Sequence, residues 1–519
     1  MLPDRSRRKQ IEQIVVTAEQ MREIEARIFA AGMPVAALME KVGGAIARRV
    51  QTLYPYPQVR RVGVLVGPGH NGGDALVVAR ELHFQGYEVL IYRPIAKLKE
   101  LTSQHAQYAE SLGIPHVEAI APLQDCDLLI DGLFGFGMER QITEPIASDI
   151  HQLDRWSMPI LSIDLPSGLH TDTGEALGTA IKATRTFCLG LWKQGLLQDQ
   201  ALEYVGTAEL IDFDIPVADI QAVLEAAKVK RVTSDLAIAT LPLTRPPVTH
   251  KYKQGHVLII CGSRRYAGGA LLTALGARAS GVGMLSIAVP EAIKPLLNTQ
   301  LPEALVVGCP ETDNGAIAQL NLPEGTDLES FQAIACGPGL TLEATPIVQE
   351  VLNSDCPLVL DADGLNILAI LGAQKLSRRS SPTILTPHAG EFKRLFPDAP
   401  SPMQDRISAV RQAAQTSKAV VLLKGARTAI ANPSGQVWIN PESTPALARG
   451  GSGDVLTGLL GGLLAQATAQ HISVDAIVAT AAWWHSQAGI LAERERTQMG
   501  VDAFTLTHYL IPVLHQSTG

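Results

Sequence analysis

The sequence predicts an α/β protein of two domains, each built around a mainly parallel β-sheet. A short β-branched run, a turn rich in Gly, Pro and Asp, and an amphipathic helical stretch recur along the chain, which is the pattern of βαβ units. The 519 residues exceed what one hydrophobic core ordinarily supports. We therefore expect two α/β domains, the first with three layers in which helices cover both faces of a parallel sheet.

The first half begins with two predicted helices, over Ala18–Ala31 and about Val35–Val50, and a third is expected over Leu76–Gln85. Short β-branched runs mark its predicted strands: Val62–Val66, Val89–Tyr92, Leu128–Ile130, Ile160–Ile163 and Thr186–Leu189.

The strand and helix pattern weakens between Ile215 and Thr249, where residues 241–247 contain three prolines. Proline continues neither a helix nor a central strand, so we predict domains over residues 1–225 and 226–519. The pattern then resumes with six predicted strands: Val257–Ile260, Leu285–Val289, Ala333–Ala335, Leu358–Leu360, Thr383–Leu385 and Val420–Leu423.

Composition and charge exclude several classes of protein. Hydrophobic residues make up 46% and charged residues 18%, which argues against extended disorder. A formal net charge of −8 provides no field that attracts nucleic acid or an anionic membrane. With no apolar run of about 18 residues and no secretory signal pattern, we expect a cytoplasmic protein. The six scattered cysteines are interpreted as reduced core residues.

A glycine-rich segment, VGPGHNGGDA, follows the first predicted strand at Val66–Ala75. We interpret it as a strand-to-helix turn whose glycines let the backbone approach a ligand, with a phosphate at the helix N-terminus. The spacing of its glycines differs from the G-x-G-x-x-G fingerprint, so the segment alone is weak evidence.

Polar side chains follow three predicted strands of the first half. Asn71 and Asp74 come after the first, Asp131 after the third and Asp164 after the fourth. The carboxyl ends of parallel strands face one crevice, where ligands bind. The oxygen-only set of Asn71, Asp131 and Ser167 suits a hard cation. Each aspartate alone is as easily a helix or turn cap, whereas together they indicate a site.

Several motifs of the first half together resemble the NAD(P)HX epimerase domain, over about residues 15–215. These are TAEQMREIE, LMEKVG, GPGHNGGDALVVAREL, DGLFGFG, DLPSGL and TFCLGLWKQGL. The resemblance implies a Rossmann-like domain that inverts the hydroxyl-bearing carbon of the hydrated nicotinamide ring, with K⁺ held by Asn71, Asp131 and Ser167. It implies that the substrates NADHX and NADPHX contact these residues: His70, Asn71, Gly72, Gly73, Asp74, Gly135, Phe136, Gly137, Met138, Glu139, Arg140, Gln141 and Asp164.

Inversion at that carbon needs proton transfer or a transient ring opening, and Asp164 is the residue we expect to assist it. Lys193 is a weaker candidate, because a lysine after a strand is usually a solvated surface charge. The alternative is a non-catalytic binding module, although Asn71, Asp74 and Asp131 are all present beside Asp164.

A second glycine-rich segment, ALARGGSGDVLTGLL, runs into an apolar helix at Ala446–Leu460. Its glycines leave N–H groups free to surround a phosphate oxygen at the helix start. Asp454 in the first helical turn then suits the role of a base in phosphoryl transfer. The alternative is an aspartate that only complements the helix dipole.

The motifs of the second half resemble the ribokinase-like fold, and specifically the NAD(P)HX dehydratase domain, over about residues 245–515. They are THKYKQGHVLIICGS, YAGGALLTALGARASGVG, LPEA, CGPGL, DADGLN, TPHAGEF, LKGA and GGSGDVLTG. The resemblance implies substrate contacts from Ala270, Gly339, His388 and the base Asp454. It implies adenine-nucleotide binding by Lys424, Gly425, Ala426, Arg427, Thr428, Gly450, Gly451, Ser452 and Gly453.

The resemblance further implies that ADP is the phosphoryl donor, releasing AMP and phosphate, in a homo-oligomer of four or more subunits. Phosphoryl transfer generally needs Mg²⁺ as well. The alternative is a ribokinase-like small-molecule kinase fused to a non-catalytic domain, because such kinases use the same aspartate. The attached first domain and His388 favour the dehydratase. An epimerase on the same chain would let both epimers be repaired.

Overall fold

The computed structural model of the chain describes residues 5–224 and 228–518. The chain divides into two compact units, with the division after residue 227. The predicted boundary between residues 225 and 226 lies outside the described residues.

The first unit contains a seven-stranded sheet in which every neighbouring pair is parallel. The strands of this unit are β1 (Val15–Val16), β2 (Arg61–Val66), β3 (Glu88–Tyr92), β4 (His116–Val117), β5 (Leu128–Gly132), β6 (Ile160–Ile163), β7 (Arg185–Leu189), β8 (Trp192–Lys193) and β9 (Thr207–Ile211). The sheet order is β4-β3-β2-β5-β6-β7-β9, and β1 pairs separately with β8. The order reverses between β2 and β5, which opens a crevice at their carboxyl ends.

Helices surround this sheet: α1 (Arg5–Ile11), α2 (Ala18–Ala30), α3 (Val35–Leu53), α4 (His70–Phe84), α5 (Glu100–Ser111), α6 (Ile146–Leu153), α7 (Leu202–Val205) and α8 (Val217–Leu224). Helix α2 begins where Thr17 and Gln20 form a capping box, each side chain accepting from the other's backbone N–H. The five predicted strands are confirmed. The short β4 and the half-buried edge strand β9 were not predicted, because neither carries a sustained buried apolar run.

Helix α4 starts at His70, not at Leu76 as expected, so Gly72 and Gly73 lie in its first turn. The interpretation of residues 66–75 as one long turn is therefore wrong. A Cβ atom at Gly72 would lie 2.0 Å from the carbonyl oxygen of Gly67, and one at Gly73 would lie 2.6 Å from the Met39 side chain. These two glycines make room for close packing of the helix.

The second unit contains a ten-stranded sheet. Its strands are β10 (Val229–Arg231), β11 (His256–Ile260), β12 (Met284–Pro290), β13 (Leu305–Cys309), β14 (Ala333–Cys336), β15 (Leu358–Leu360), β16 (Thr383–Leu385), β17 (Val420–Leu423), β18 (Thr428–Ala431) and β19 (Val437–Asn440). Their order is β10-β19-β18-β17-β16-β15-β14-β11-β12-β13. Only β18 runs antiparallel to its neighbours β17 and β19 among the described strands of this sheet. The six predicted strands are confirmed.

The helices of the second unit are α9 (Ser234–Thr240), α10 (Ala267–Ala279), α11 (Lys294–Gln300), α12 (Thr345–Asn353), α13 (Asp363–Leu371), α14 (Ala389–Leu395), α15 (Arg406–Ser417), α16 (Ser452–Gln470), α17 (Val474–Arg496) and α18 (Ala503–Thr518). Helices α10 and α16 pack closely through glycine, since a Cβ at Gly458 would lie 1.7 Å from the Thr273 carbonyl oxygen. Because α9 and β10 precede the proline segment 241–247, that segment lies inside the second unit.

Two further expectations concern membranes and cysteines. No single helix among the described residues is long and apolar enough to cross a membrane, and α2 with α3 passes that test only as a pair bent by 120°. All six cysteines lie in the described part of the chain, where they are buried and free of disulfide bonds.

Candidate active sites

The first site is a cavity of about 490 Å³ at the carboxyl ends of the first sheet. The loops after β2 and β5 touch here, since a Cβ at Gly67 would lie 1.6 Å from the Leu133 carbonyl oxygen. Eight predicted site residues line the cavity: His70, Asn71, Asp74, Gly135, Phe136, Gly137, Met138 and Asp164.

Five predicted substrate residues lie elsewhere. Gly72 and Gly73 are buried in the first turn of α4 and do not line the cavity. The end of the loop after β5 points away into solvent, and Glu139, Arg140 and Gln141 are exposed outside the cavity lining. Glu139 instead lies 3.7 Å from Arg22, an ion pair at the cavity rim.

Asp164 is held rigidly at the end of β6. Its Oδ2 accepts a hydrogen bond from the N–H of Phe136 at 2.9 Å, and its Oδ1 lies 2.6 Å from Nζ of Lys193. Its backbone has φ of 68°, a left-handed conformation that costs free energy in a residue with a side chain. Such local strain, combined with an ion pair, is typical of a residue positioned for function.

Lys193 is fully buried, so its interpretation as a surface charge is wrong. Its ammonium donates to the carbonyl oxygen of Leu189 at 2.5 Å and pairs with Asp164. Burial lowers the pKa of Lys193, but the charges of Asp164, Cys188 and Glu25 together with the hydrogen bond to Asp164 outweigh that effect, and the net shift is upward. The Nζ atom of Lys193 lies 5.6 Å from the centroid of the Phe136 ring, where it places a positive charge in the cavity wall.

Two further carboxyls line the same cavity. Burial raises the pKa of Glu25 to about 7, with Lys193 lowering and Asp164 raising it. Burial also raises the pKa of Asp74 well above its ordinary range, and the charges of Asp164 and Glu25 add to that effect. Burial lowers the pKa of His70, and Lys99 lowers it further. Glu25 was not among the predicted site residues.

Asp131 and Ser167 are fully buried and do not line the cavity. The Asp131 carboxylate accepts from the hydroxyls of Ser162 and Ser167 at 2.7 and 2.6 Å, and from two backbone N–H groups. Burial raises the pKa of Asp131, and these hydrogen bonds oppose that shift. Ser167 also accepts from the N–H of Phe134 at 2.8 Å, so the pair fixes the loop after β5.

The second site lies where α16 begins. Gly451 caps this helix with φ of 93°, a conformation that favours glycine, and a Cβ there would meet Leu272 at 2.5 Å. A Cβ at Gly450 would meet nothing within 4 Å, so that position faces open space. The anion site predicted from the sequence lies at this helix N-terminus, where the N–H of Ser452 donates to the Arg449 carbonyl oxygen at 3.3 Å.

Asp454 lies in the first turn of α16, close to the first turn of α10. Its Oδ2 is 3.2 Å from where a Cβ would stand at Gly269, which leaves no room for a side chain there. Burial and the charge of Asp361 raise the pKa of Asp454, Lys424 lowers it, and the net pKa is about 7. A carboxyl with this pKa changes its charge near neutrality, as a general base does.

Asp361 and Lys424 form a hydrogen-bonded network beside Asp454. Lys424 Nζ donates to Asp361 Oδ1 at 2.7 Å, and the Thr457 hydroxyl donates to Oδ2 at 2.6 Å. Burial lowers the pKa of Lys424, but the hydrogen bond to Asp361 and the charges of Asp361, Glu391 and Asp454 together outweigh it, and the net shift is upward. The network fixes an ammonium near Gly453, where a Cβ would lie 3.3 Å from Nζ. Asp361 was not among the predicted site residues.

The predicted nucleotide loop, residues 424–428, connects β17 to β18. The buried guanidinium of Arg406 donates to the carbonyl oxygens of Leu423 and Lys424 at 3.3 and 3.2 Å, and it occupies the space that a side chain at Gly425 would need. Ala426 is exposed, and Thr428 donates from its hydroxyl to the Gly425 carbonyl oxygen at 3.2 Å.

The predicted substrate residues of this unit differ in their surroundings. His388 caps α14, its Nδ1 accepting from the N–H of Gly390 at 2.9 Å, which leaves the proton of a neutral ring on Nε2. Gly339 lines an open groove of about 720 Å³ together with Tyr266 and Asp363. Ala270 is fully buried, and its methyl group would lie 2.9 Å from a Cβ at Gly262.

Two family models match the chain. One, described as NAD(P)H-hydrate dehydratase, matches residues 257–512. The other, described as YjeF-related protein N-terminus, matches residues 35–195. A solved ADP/ATP-dependent NAD(P)H-hydrate dehydratase from Bacillus subtilis is similar at 35% identity and a TM-score of 0.48, covering 55% of this chain and 97% of that chain.

Curated relatives match nearly the full length. The bifunctional NAD(P)H-hydrate repair enzyme of Synechocystis sp. is 56% identical over 507 residues, covering 97% of this chain and 95% of the relative. That of Thermosynechococcus vestitus is 53% identical, covering 97% and 98%. These matches confirm both predicted resemblances. The chain therefore belongs to the family of bifunctional NAD(P)H-hydrate repair enzymes.

Proposed function

We propose that the cavity of the first unit epimerises NADHX and NADPHX, and that the site of the second unit dehydrates the S epimers to NADH and NADPH. We assign these activities to residues 1–225 and 226–519. The observation that supports this division most is that the NAD(P)H-hydrate dehydratase model matches residues 257–512, within the second unit. Each sheet also presents a carboxyl–lysine ion pair at its carboxyl edge, Asp164 with Lys193 and Asp361 with Lys424.

In the first site, we infer that Asp164 takes part in the proton transfer that accompanies inversion. Its carboxylate lines the cavity and cannot turn away, because Phe136 and Lys193 hold both oxygens. The substrate would lie against His70, Asn71, Asp74 and the Gly135–Met138 loop.

Asp164→Asn is expected to lower the epimerisation rate by about 10²–10⁴-fold, the usual range for one acid or base group. Asparagine tolerates the left-handed backbone of residue 164, but it leaves the buried Lys193 ammonium without its charged partner, so hydrogen exchange of the first unit checks that the variant is folded. Interconversion of R- and S-NADHX, followed by chromatography, measures the rate. A folded variant with the wild-type rate would contradict the role of Asp164.

The oxygen donors of Asn71, Asp131 and Ser167 suit the K⁺ ion that we propose for this unit. The proposed donor set contains no nitrogen or sulfur ligand. The side-chain amide nitrogen of Asn71 is buried and has no hydrogen-bond partner, so no hydrogen bond of that nitrogen prevents the amide from turning its oxygen toward a ligand. The ion would supply positive charge under the loop after β5.

In the second site, Asp454 would take the proton of the ring hydroxyl as its oxygen attacks the terminal phosphorus of ADP. The Gly450–Gly453 loop and the Lys424 ammonium would hold the phosphoryl oxygens. AMP then leaves, and the ring-nitrogen lone pair expels phosphate. Loss of a proton from the adjacent ring carbon restores the dihydronicotinamide.

The Mg²⁺ ion of this step would bind mainly to the nucleotide phosphates. Among the described residues, no group of three or more His, Cys, Asp or Glu side chains is arranged to hold a metal. Magnesium commonly takes only one or two carboxylates and completes its shell with phosphate and water. When bound, the ion would neutralise charge on the transferred phosphoryl group.

ADP is expected to support dehydration of S-NADHX by the purified full chain, with AMP and phosphate formed in equal amounts to NADH. A screen of ADP and ATP with Mg²⁺, read by dihydronicotinamide absorbance, measures this preference. Turnover with ATP alone would contradict the proposed donor.

The resemblance to the repair enzymes also supports a cytoplasmic homo-oligomer of four or more subunits. Light scattering after size-exclusion chromatography of the full chain tests the oligomeric state. A monomeric mass would contradict it.

A further inference from the structure

Helix α2 carries one carboxyl within its buried apolar face. Met21, Ile24 and Ile28 contact the core at helical spacing, and Glu25 lies on the same stripe. Its side chain lines the cavity of the first unit together with Asp164. Glu25 is half-buried, and withdrawing a carboxyl from water among apolar residues is costly when no hydrogen bond compensates, so its presence needs a reason other than stability.

The cations near Glu25 form their hydrogen bonds and ion pairs with other residues, and Lys193 acts on Glu25 only through its charge, which lowers the pKa of Glu25. Lys193 is bound to Asp164 at 2.6 Å and to the Leu189 carbonyl oxygen, and Arg22 pairs with Glu139. Within residues 5–224, Glu25 forms no hydrogen bond or ion pair with another side chain. Its carboxyl is therefore free to act on a ligand in the cavity.

The surrounding charges distinguish Glu25 from Asp74. Charged or titratable groups that share its cavity are Arg22, His70, Asp74, Lys99, Asp164 and Lys193. Burial raises the pKa of Asp74 well above its ordinary range, and the charges of Asp164 and Glu25 raise it further. Glu25, whose pKa is about 7, gives up and regains a proton at neutral pH.

We propose that Glu25 is a catalytic residue of the epimerase and protonates the departing hydroxyl of the hydrated nicotinamide ring. This inference rests on the epimerase function proposed above. Glu25 lies on a helix and Asp164 at a strand end, so the two carboxyls enter the cavity from different elements. Two such groups can serve as acid and base in one reaction.

The proposed inversion proceeds by loss and re-addition of water at the hydroxyl-bearing ring carbon. Glu25 gives its proton to the hydroxyl oxygen, the carbon–oxygen bond breaks with its electrons on oxygen, and water leaves. The ring-nitrogen lone pair forms a double bond to the same carbon. Water adds to the opposite face, the electron pair returns to nitrogen, and Asp164 takes the surplus proton. Exchange with solvent then reprotonates Glu25 and deprotonates Asp164.

The test compares Glu25→Gln, Glu25→Asp and Glu23→Gln in the full chain, using R-NADHX as substrate. Glu23 is exposed on the same helix and serves as the matched control. For Glu25→Gln we expect kcat for epimerisation to fall by at least ~100-fold, with KM changed only a few-fold. Glu25→Asp should retain measurable activity, and Glu23→Gln should match the wild type.

Two further readouts separate catalysis from a structural role. The wild-type rate should fall as pH rises above about 7, where Glu25 loses its proton, and Glu25→Gln should lack that limb. The Tm of Glu25→Gln should be equal to or above that of the wild type, because a half-buried carboxyl without a hydrogen-bond partner has been removed. A wild-type rate in Glu25→Gln, or a loss of activity that tracks a lower Tm, would overturn the proposal.

The dehydratase provides an internal reference. Glu25→Gln should convert S-NADHX with ADP at the wild-type rate. If the wild-type chain dehydrates S-NADHX but does not interconvert the epimers, the proposed epimerase function fails and this inference falls with it.

Discussion

Asp454→Asn is expected to lower dehydration of S-NADHX by about 10²–10⁴-fold, because the ring hydroxyl loses the base that accepts its proton. The pKa of Asp454 is raised to about 7 by burial, with Asp361 adding to it. The base acts only when ionised, so the wild-type rate should rise with pH through about 7 and level off above it. Initial rates of NADH formation across pH measure both effects.

The stability of the wild-type fold should fall over the pH range in which its dehydration rate rises. An aspartate that ionises near pH 4 in the unfolded chain and near 7 in the folded one destabilises the fold as pH rises between those values. Asp454→Asn removes that cost, so its Tm above pH 7 should equal or exceed the wild-type value. Full activity in a folded Asp454→Asn protein would contradict the proposed base.

Lys193→Met is expected to destabilise the first unit by about 3–5 kcal/mol, the usual cost of leaving one charge of a buried pair without its partner. Lys193 is fully buried and Asp164 nearly so, and a methionine removes the ammonium while largely filling its volume. Epimerisation should be lost together with the ordering of Asp164. Hydrogen exchange measured by mass spectrometry reports the stability of the first unit separately from that of the second unit.

Lys182→Met is the matched control for that experiment. Lys182 pairs with Glu203 at 2.5 Å, but both side chains are about half exposed. Solvent screens such a pair, so its loss should leave hydrogen exchange and epimerisation unchanged. Equal exchange in Lys193→Met and the wild type would show that the buried pair does not stabilise the unit.

The fold was largely predictable because its central strands are buried on both faces. Each of the strands β2, β5, β6 and β7 appears in the sequence as a short apolar run followed by a turn. Edge strands lack that signal, as in β13, whose first residue is exposed. The hairpin of β18 and β19 was missed although Asn432–Gly435 separates two apolar runs, a pattern that predicts a hairpin.

The strand-end aspartates of the candidate sites were predictable from position alone, whereas their partners were not. Asp164 directly follows a strand and Asp454 lies in the first turn of a helix, and both elements can be recognised in the sequence. The burial of Lys193 instead depends on how the segment after β7 folds back. The apolar neighbours Leu191 and Trp192 were the available signal. Glu25 had a signal too, as a carboxyl at helical spacing among apolar residues.

The most direct test of the two-site account is repair of mixed-epimer NADHX by the full chain with ADP and Mg²⁺, followed by dihydronicotinamide absorbance. The wild type should convert both epimers to NADH. Asp164→Asn should convert the S epimer at the normal rate and then slow to the spontaneous rate of epimerisation, while Asp454→Asn should form almost no NADH. Complete and equally rapid recovery in both variants would contradict the assignment of one activity to each site.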